Sequence, residues 1–348
     1  IGTDGTCGDT GMRLALLRYD LICLISFSLG FVLTNPKEAQ SADPAGDQNQ
    51  QLMRRLDVPK IKIIKNVAYA DTDNPRQQVD LFLPNIRTSD TPLPVIAFVH
   101  GGGWRKGSRR SGLQFLAPLV STGEYLGVSI GYRLTDEATW PAQIHDCKAA
   151  IRWLRANAKT YHADPTKIIA VGTSAGGHLV AMLGTSGDVL ALEGQVGSSL
   201  DSSSRVIGVI DFFGPANLTS MGGFHNNPDS PESLLLGGPV PELREIAAAA
   251  SPITYVTKDD PPFLMIHGSD DKLVPFDQSV QLHKSLQDVG VSARLIEIEG
   301  GGHGRLQSKE LDSRIRLFLE NQFRDSDHEI STQSIPGHPS SQDKNGRN

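Results

Sequence analysis

The chain has 348 residues, enough for one large domain or two of ordinary size. Apolar residues make up 39% and charged residues 21%, which excludes a disordered polyelectrolyte and permits a full core. A net charge of −6 without a Lys/Arg block excludes a phosphate-binding stripe, and with it nucleic acid as a partner; the 35 Gly and 21 Pro follow no period, which excludes collagen-like and repeat architectures.

In chain order, residues 1–42 read as a leader. Met12 is followed by Arg13 and Arg18, an apolar run from Leu21 to Leu33, and the small-residue end Ala39-Gln40-Ser41-Ala42. That is the layout of a secretory signal peptide. The run has 13 residues, short of the roughly 20 that a spanning helix needs. A buried helix or a single membrane anchor is the alternative. The expectation is an exported protein, periplasmic or secreted, whose mature chain has no stable membrane insertion. Cys7 and Cys23 lie in this leader, which leaves Cys147 alone and no disulfide within one mature molecule. Residues 43–57 read as a flexible lead-in.

From 58 to 324, short β-branched runs alternate with longer helical patterns, the signature of a mostly parallel sheet with helices on both faces. Eight strands are expected: Ile61–Ala70, Val79–Leu83, Val95–His100, Leu126–Gly131, Ile168–Val171, Val206–Phe212, Phe263–His267 and Ala293–Ile298. Val95–Val99 does not alternate and reads as a buried central strand, whereas the first two alternate and read as antiparallel edge strands. Helices are expected over Ala142–Ala158, Gly176–Leu183, Asp277–Gln287 and Ser308–Phe323. Together these make one α/β domain. Residues 325–348, polar and rich in Ser and Pro, read as a disordered tail.

Four loops carry chemistry. Gly172-Thr173-Ser174-Ala175-Gly176 follows a strand and opens a helix, the context of a nucleophile elbow. A Gly/Ser turn entering a helix is its bland reading. His100-Gly101-Gly102-Gly103-Trp104 follows the central strand. Its consecutive glycines free the backbone to turn N–H groups inward and, with that of Ala175, form an oxyanion hole. The same loop lacks the G-x-x-x-x-G-K-[ST] order of a phosphate cradle. Finally, Gly268-Ser269-Asp270-Asp271 follows the seventh strand and Gly300-Gly301-Gly302-His303-Gly304 the eighth. An acid and then His303, both after Ser174, match the chain order Ser…Asp…His in which the base takes the serine proton and the acid fixes its tautomer.

The segments HGGGW at 100–104, GYRL at 131–134, GTSAGGHLV at 172–180, ASPITYV at 250–256, PPFLMIHGSDDKLVP at 261–275 and GGGHG at 300–304 resemble bacterial carboxylesterases of the α/β-hydrolase superfamily. More narrowly the chain is similar to the feruloyl-esterase-like group related to hormone-sensitive lipase, over about residues 75–322. The resemblance implies the α/β-hydrolase fold, with Ser174 as nucleophile, Asp271 as the acid of HG-x-x-D-x-x-VP, His303 as base and Gly101, Gly102 and Ala175 as oxyanion donors. It implies no cofactor and a small-molecule ester as partner. Thr173 stands where hormone-sensitive lipases carry Asp, the D-x-x-x-D acid motif is missing, and residues 43–60 are too short for a helical cap. These departures favour the feruloyl-esterase-like branch.

Other conspicuous residues read as structural. Asp146, Arg152 and Trp153 fall on one helix, where ion pairing and packing account for them. His145, His162 and His267 show no ligand spacing, so no metal is expected. Trp140-Pro141 reads as a rigid turn, with no cis bond inferred, and Tyr132 and Phe213 as candidates for pocket lining. The functional expectation is a serine carboxylic-ester hydrolase for soluble short-acyl or aryl- or carbohydrate-linked esters. A prolyl-oligopeptidase-like peptidase and a non-catalytic binder on the same fold are the alternatives. Residues 214–262 show no long amphipathic helix of the kind an oil-interface lid requires.

Overall fold

The computed structural model describes residues 60–337 except 305 and 307. The leader, the lead-in and residues 338–348 lie outside the described residues. Among the described residues nine strands form a single sheet: β1 Ile61–Ala68, β2 Gln78–Pro84, β3 Leu93–Val99, β4 Leu126–Ile130, β5 Ala163–Thr173, β6 Gly208–Phe212, β7 Phe263–Gly268, β8 Ala293–Glu299 and β9 Ile335–Pro336. Their spatial order is β1-β2-β4-β3-β5-β6-β7-β8-β9. The pairs β1/β2 and β2/β4 are antiparallel, and every pairing from β4/β3 onward is parallel. Of the two strands read as edges, β1 is the edge and β2 is paired on both sides.

The helices are α1 Gly112–Val120, α2 Ala142–Ala156, α3 Ala158–Tyr161, α4 Ala175–Thr185, α5 Pro231–Leu236, α6 Arg244–Ala249, α7 Asp277–Asp288 and α8 Lys309–Arg324. They cover both faces of the sheet. Successive side chains of a strand point to opposite faces, so Val95, Ala97 and Val99 of β3 enter one apolar cluster while Ile96 and Phe98 enter the other. The central strand is thereby buried on both sides, as its unbroken apolar run requires.

Several expectations are corrected. The sheet has nine strands rather than eight, and the ninth lies in the segment read as a disordered tail. Residues 325–337 run back along β8, where Ile335 pairs with Ile298 and the Gly337 N–H donates to the Glu299 carbonyl at 2.9 Å. Two isolated isoleucines anchor the segment, Ile330 at 7% exposure and Ile335 at 3%, both packed in the cluster that contains α8. Buried Arg314 of α8 adds a bond to the Gln333 carbonyl at 2.6 Å. Composition averaged over the segment hides these few anchors. The Trp140–Pro141 peptide, read as a rigid turn, is cis, which the sequence reading did not infer. The helix read as Ala142–Ala158 breaks at Asn157, and α1, which contains Gly112 and Pro118, was not expected at all.

Asp146 and Arg152 have the structural roles expected of them. Asp146 accepts from Arg133 at 2.8 Å, and Arg152 donates to Glu193 at 3.0 Å. Tyr132 is buried and donates to the His100 carbonyl at 3.0 Å rather than lining a pocket. Cys147 is a buried free thiol.

Candidate active site

The carboxyl ends of parallel strands are where open α/β sheets bind ligands, and the four informative loops emerge there from β3, β5, β7 and β8. Ser174 sits between β5 and α4 with φ 55° and ψ −122°, a conformation that L side chains rarely adopt. Neighbouring backbone holds it: the Ser174 N–H donates to the Phe212 carbonyl at 2.9 Å, and the Ser174 carbonyl accepts from the His178 N–H at 2.9 Å. The flanking glycines are steric necessities. A Cβ at Gly172 would lie 2.1 Å from the Gly176 carbonyl oxygen, and one at Gly176 would lie 2.2 Å from that of Val99.

His303 Nε2 stands 2.9 Å from Ser174 Oγ, and its Nδ1 stands 2.7 Å from Asp271 Oδ2. A carboxylate only accepts, so Nδ1 carries the proton and Nε2 is left to accept from the serine hydroxyl. Asp271 Oδ1 accepts from the N–H groups of Leu273 at 2.8 Å and Val274 at 2.9 Å. Burial pushes the Asp271 carboxyl up, but hydrogen bonds from His267, His303 and the Val274 N–H outweigh it and hold the group well below the usual carboxylate range. The adjacent Asp270 points to solvent and pairs with Lys272. The structure thus separates two acids that the sequence alone leaves adjacent.

The acid and base loops are locked together. The Asp270 N–H donates to the Gly301 carbonyl at 2.9 Å, the Gly300 N–H to Ser269 Oγ at 2.9 Å, and a Cβ at Gly268 would lie 2.2 Å from the Gly301 oxygen. Phe213 lays its ring edge on His303 with centroids 4.6 Å apart.

Gly101, Gly102 and Ala175 meet around Ser174. A Cβ at Gly101 would lie 3.3 Å from the Ser174 Cβ and 2.6 Å from the Thr173 oxygen, so only glycine fits the approach. All three residues line the cavity that contains Ser174 and His303. Among the described residues no backbone acceptor takes up their N–H groups, so they remain available to a developing oxyanion. Trp104, at the end of this loop, donates from Nε1 to His178 Nδ1 at 3.2 Å and ties the loop to α4.

The cavity measures about 1450 Å³. Its lining includes the apolar residues Phe115 and Leu119 of α1 and Leu311 and Ile315 of α8, and Phe213, as expected, is part of it. No cluster of metal-ligating side chains occurs among the described residues. His267 was read only as a packing residue. It packs, with Nδ1 2.7 Å from Ser279 Oγ, and it also reaches Asp271. The contact is missed in sequence because it depends on the turn at 268–271 folding back.

Fold and site together define an α/β-hydrolase. The chain belongs to the BD-FAE family, whose family model matches residues 79–286. It is 34% identical over 243 residues to esterase LipC of Mycobacterium tuberculosis, an alignment covering 67% of this chain and 58% of the relative. The chain spans about half the length of the curated relatives it matches. Among solved structures it is similar to a truncated carbohydrate esterase from gut microbiota, with TM-score 0.70 and 33% identity, over 75% of this chain and 96% of that one. The esterase Est2 of Thermogutta terrifontis with butyrate bound matches with TM-score 0.59 and 25% identity, over 76% of this chain and 93% of that one.

Proposed function

We propose that the protein is a serine carboxylic-ester hydrolase acting through Ser174, His303 and Asp271. The observation that carries this reading is the unbroken series Ser174 Oγ, His303 Nε2, His303 Nδ1 and Asp271 Oδ2, with contacts of 2.9 and 2.7 Å. Ser174 Oγ attacks the ester carbonyl carbon and its proton passes to His303 Nε2. The carbonyl oxygen becomes an oxyanion and accepts from the N–H groups of Gly101, Gly102 and Ala175. His303 returns the proton to the departing alkoxide, leaving an acyl group on Ser174. Water, deprotonated by the same nitrogen, then releases the acid. Asp271, held ionised, stabilises the imidazolium in both halves. Every step uses groups of this chain, so the reaction needs no cofactor.

The substrates are soluble short-acyl esters or aryl- and carbohydrate-linked esters. Apolar lining residues such as Phe115, Leu119 and Ile315 suit the acyl or aryl group, and among the solved relatives one is a carbohydrate esterase and one holds butyrate. We further propose that the protein is exported, on the strength of the leader pattern in residues 1–42. Among the described residues no helix is long and apolar enough to cross a membrane.

The test pairs Ser174→Ala with an active-site probe. Nitrophenyl butyrate hydrolysis by the variant should fall to a residue of roughly 10³–10⁴ over water, the level oxyanion donors alone sustain. A fluorophosphonate should label the wild-type chain at Ser174 and leave the variant unlabelled. Labelling of the variant, or undiminished turnover, overturns the assignment. Aminoacyl amides in the same panel expose a peptidase.

A further inference from the structure

The turn that follows β6 holds a buried carboxyl that the chemistry above does not use. Asp211, 1% exposed, lies on β6 opposite Gly172 of β5 and Met265 of β7. It shares the strand face of Val209, which packs in the cluster that contains α4. Its Oδ1 accepts from the Gly214 N–H at 2.9 Å, while Oδ2 is sealed in without a hydrogen-bond partner among the described residues. A Cβ at Gly177 of α4 would lie 2.2 Å from Oδ1, so the carboxyl is pressed against the first turn of the nucleophile helix.

The two residues enclosed by this turn support both reacting side chains. The Phe212 carbonyl accepts from the Ser174 N–H at 2.9 Å. Phe213 has φ 45°, in the left-handed region that a bulky residue rarely adopts, and its ring edge meets His303 with centroids 4.6 Å apart. A residue in that conformation persists only where its surroundings hold it. Two hydrogen bonds do so: the Phe213 N–H donates to the Ile266 carbonyl at 2.9 Å, and the Gly214 N–H, one residue on, donates to Asp211. The Asp211 carboxyl therefore closes the turn through which β6 aligns nucleophile and base.

We propose that Asp211 is a positioning residue: ionised, it clamps the 211–214 turn that aligns Ser174 with His303, and on taking up a proton it loosens that clamp. A hydrogen bond to an ionised carboxyl is roughly twice as strong as one to a neutral acceptor. Burial pushes the Asp211 pKa up to about 6, and the Gly214 hydrogen bond and the nearby His267 imidazole offset it only in part. His267 of β7, which in turn faces Asp271, is the titratable side chain that acts on Asp211. The other neighbours carry no charge: Gly177 of α4, Gly172 of β5, Met265 of β7 and Gly214 of the turn itself. This inference rests on Ser174 and His303 being nucleophile and base.

The test uses Asp211→Asn, which keeps an acceptor for the Gly214 N–H but cannot titrate, and so resembles the protonated acid at every pH. On nitrophenyl butyrate at pH 8 its kcat should be about fivefold below wild type with KM little changed, as misplacement of the base requires. Dividing wild-type kcat/KM by that of the variant removes the His303 titration that both share. The ratio should fall from about five at pH 8 to within about twofold of one at pH 5, along a single-proton curve. A ratio flat across pH, or a loss carried by KM, overturns the clamp. Should Asp211→Asn not fold, Asp211→Ser, smaller and also a non-titrating acceptor, takes its place. Should neither fold, the wild-type acid limb decides: two protonation steps support the clamp and a single one overturns it. Absence of wild-type turnover at every pH, with Ser174 unlabelled by a fluorophosphonate, removes the esterase reading itself. A flat ratio with turnover intact removes only the role of Asp211.

Discussion

His267 Nε2 lies 3.3 Å from Asp271 Oδ2, the same oxygen that faces His303. The acid is therefore gripped from three sides, by two imidazoles and by the N–H groups of Leu273 and Val274. Its neighbour Asp270 has a side chain 60% exposed and touches neither histidine. Asp271→Asn should cost on the order of 10⁴ in kcat by disturbing the His303 tautomer. Asp270→Asn should change kcat by less than about twofold, as expected for an exposed ion pair. Steady-state kinetics of the two variants on nitrophenyl butyrate check this, and a crippled Asp270→Asn would show that the acid is misassigned.

His267 is a positioning residue. The Val274 carbonyl, 3.0 Å from Nε2, only accepts, so Nε2 carries a proton shared with Asp271. His267→Phe removes that donor, and burial then raises the Asp271 carboxyl from its depressed position. Because the ionised acid is the active form, the acid limb of the kcat/KM profile should move to higher pH. The expected loss in kcat is on the order of tenfold with KM little changed, consistent with slight misplacement of the acid. His267→Gln, which keeps a donor, should restore most of the acid limb. A uniform loss without movement of the profile would indicate packing alone.

The legible parts of this molecule are those where a chemical need fixes residue type and spacing. Ser174, Gly101, Gly102 and His303 announce themselves because a strained elbow, a close backbone approach and a strand-end base tolerate few alternatives. Choosing Asp271 over Asp270 needed the family resemblance, since spacing alone leaves either side chain a candidate. Other features depend on contacts formed only in three dimensions. β9 rests on Ile335 meeting the open edge of β8, which a polar segment does not reveal. The α1 helix begins at Gly112 and contains Pro118, two residues that argue against a helix locally.

The segment between β6 and β7 bears on how substrate reaches the serine. Its helices, α5 and α6, have six residues each, and neither is long enough to present a wide apolar stripe to an oil interface. Tributyrin hydrolysis should therefore rise smoothly through the solubility limit without a jump in rate, and emulsified long-chain triglycerides should be poor substrates. A steep increase at the onset of emulsion, in a rate-against-concentration series, would show that an interfacial lid operates.

A final expectation concerns acid stability and the tether between the glycine loop and α4. Trp104 Nε1 only donates, so His178 Nδ1 must accept, and His178 Nε2 donates to the Ala250 carbonyl at 2.6 Å. Burial drives the His178 pKa down to about 4, the Ala250 hydrogen bond offsetting it only in part. A base whose pKa is depressed by folding stabilises the fold fully above its unfolded value near 6.5, and that contribution is lost as pH falls from there towards 4. The span corresponds to on the order of 3 kcal/mol at the acid end. His178→Gln keeps an acceptor and a donor but does not titrate. Melting temperatures of the two proteins measured from pH 7.5 to 4 should converge as pH falls, with the wild-type losing stability more steeply. Parallel curves across that range would mean that His178 takes up no proton on unfolding and that the Trp104 tether is indifferent to pH.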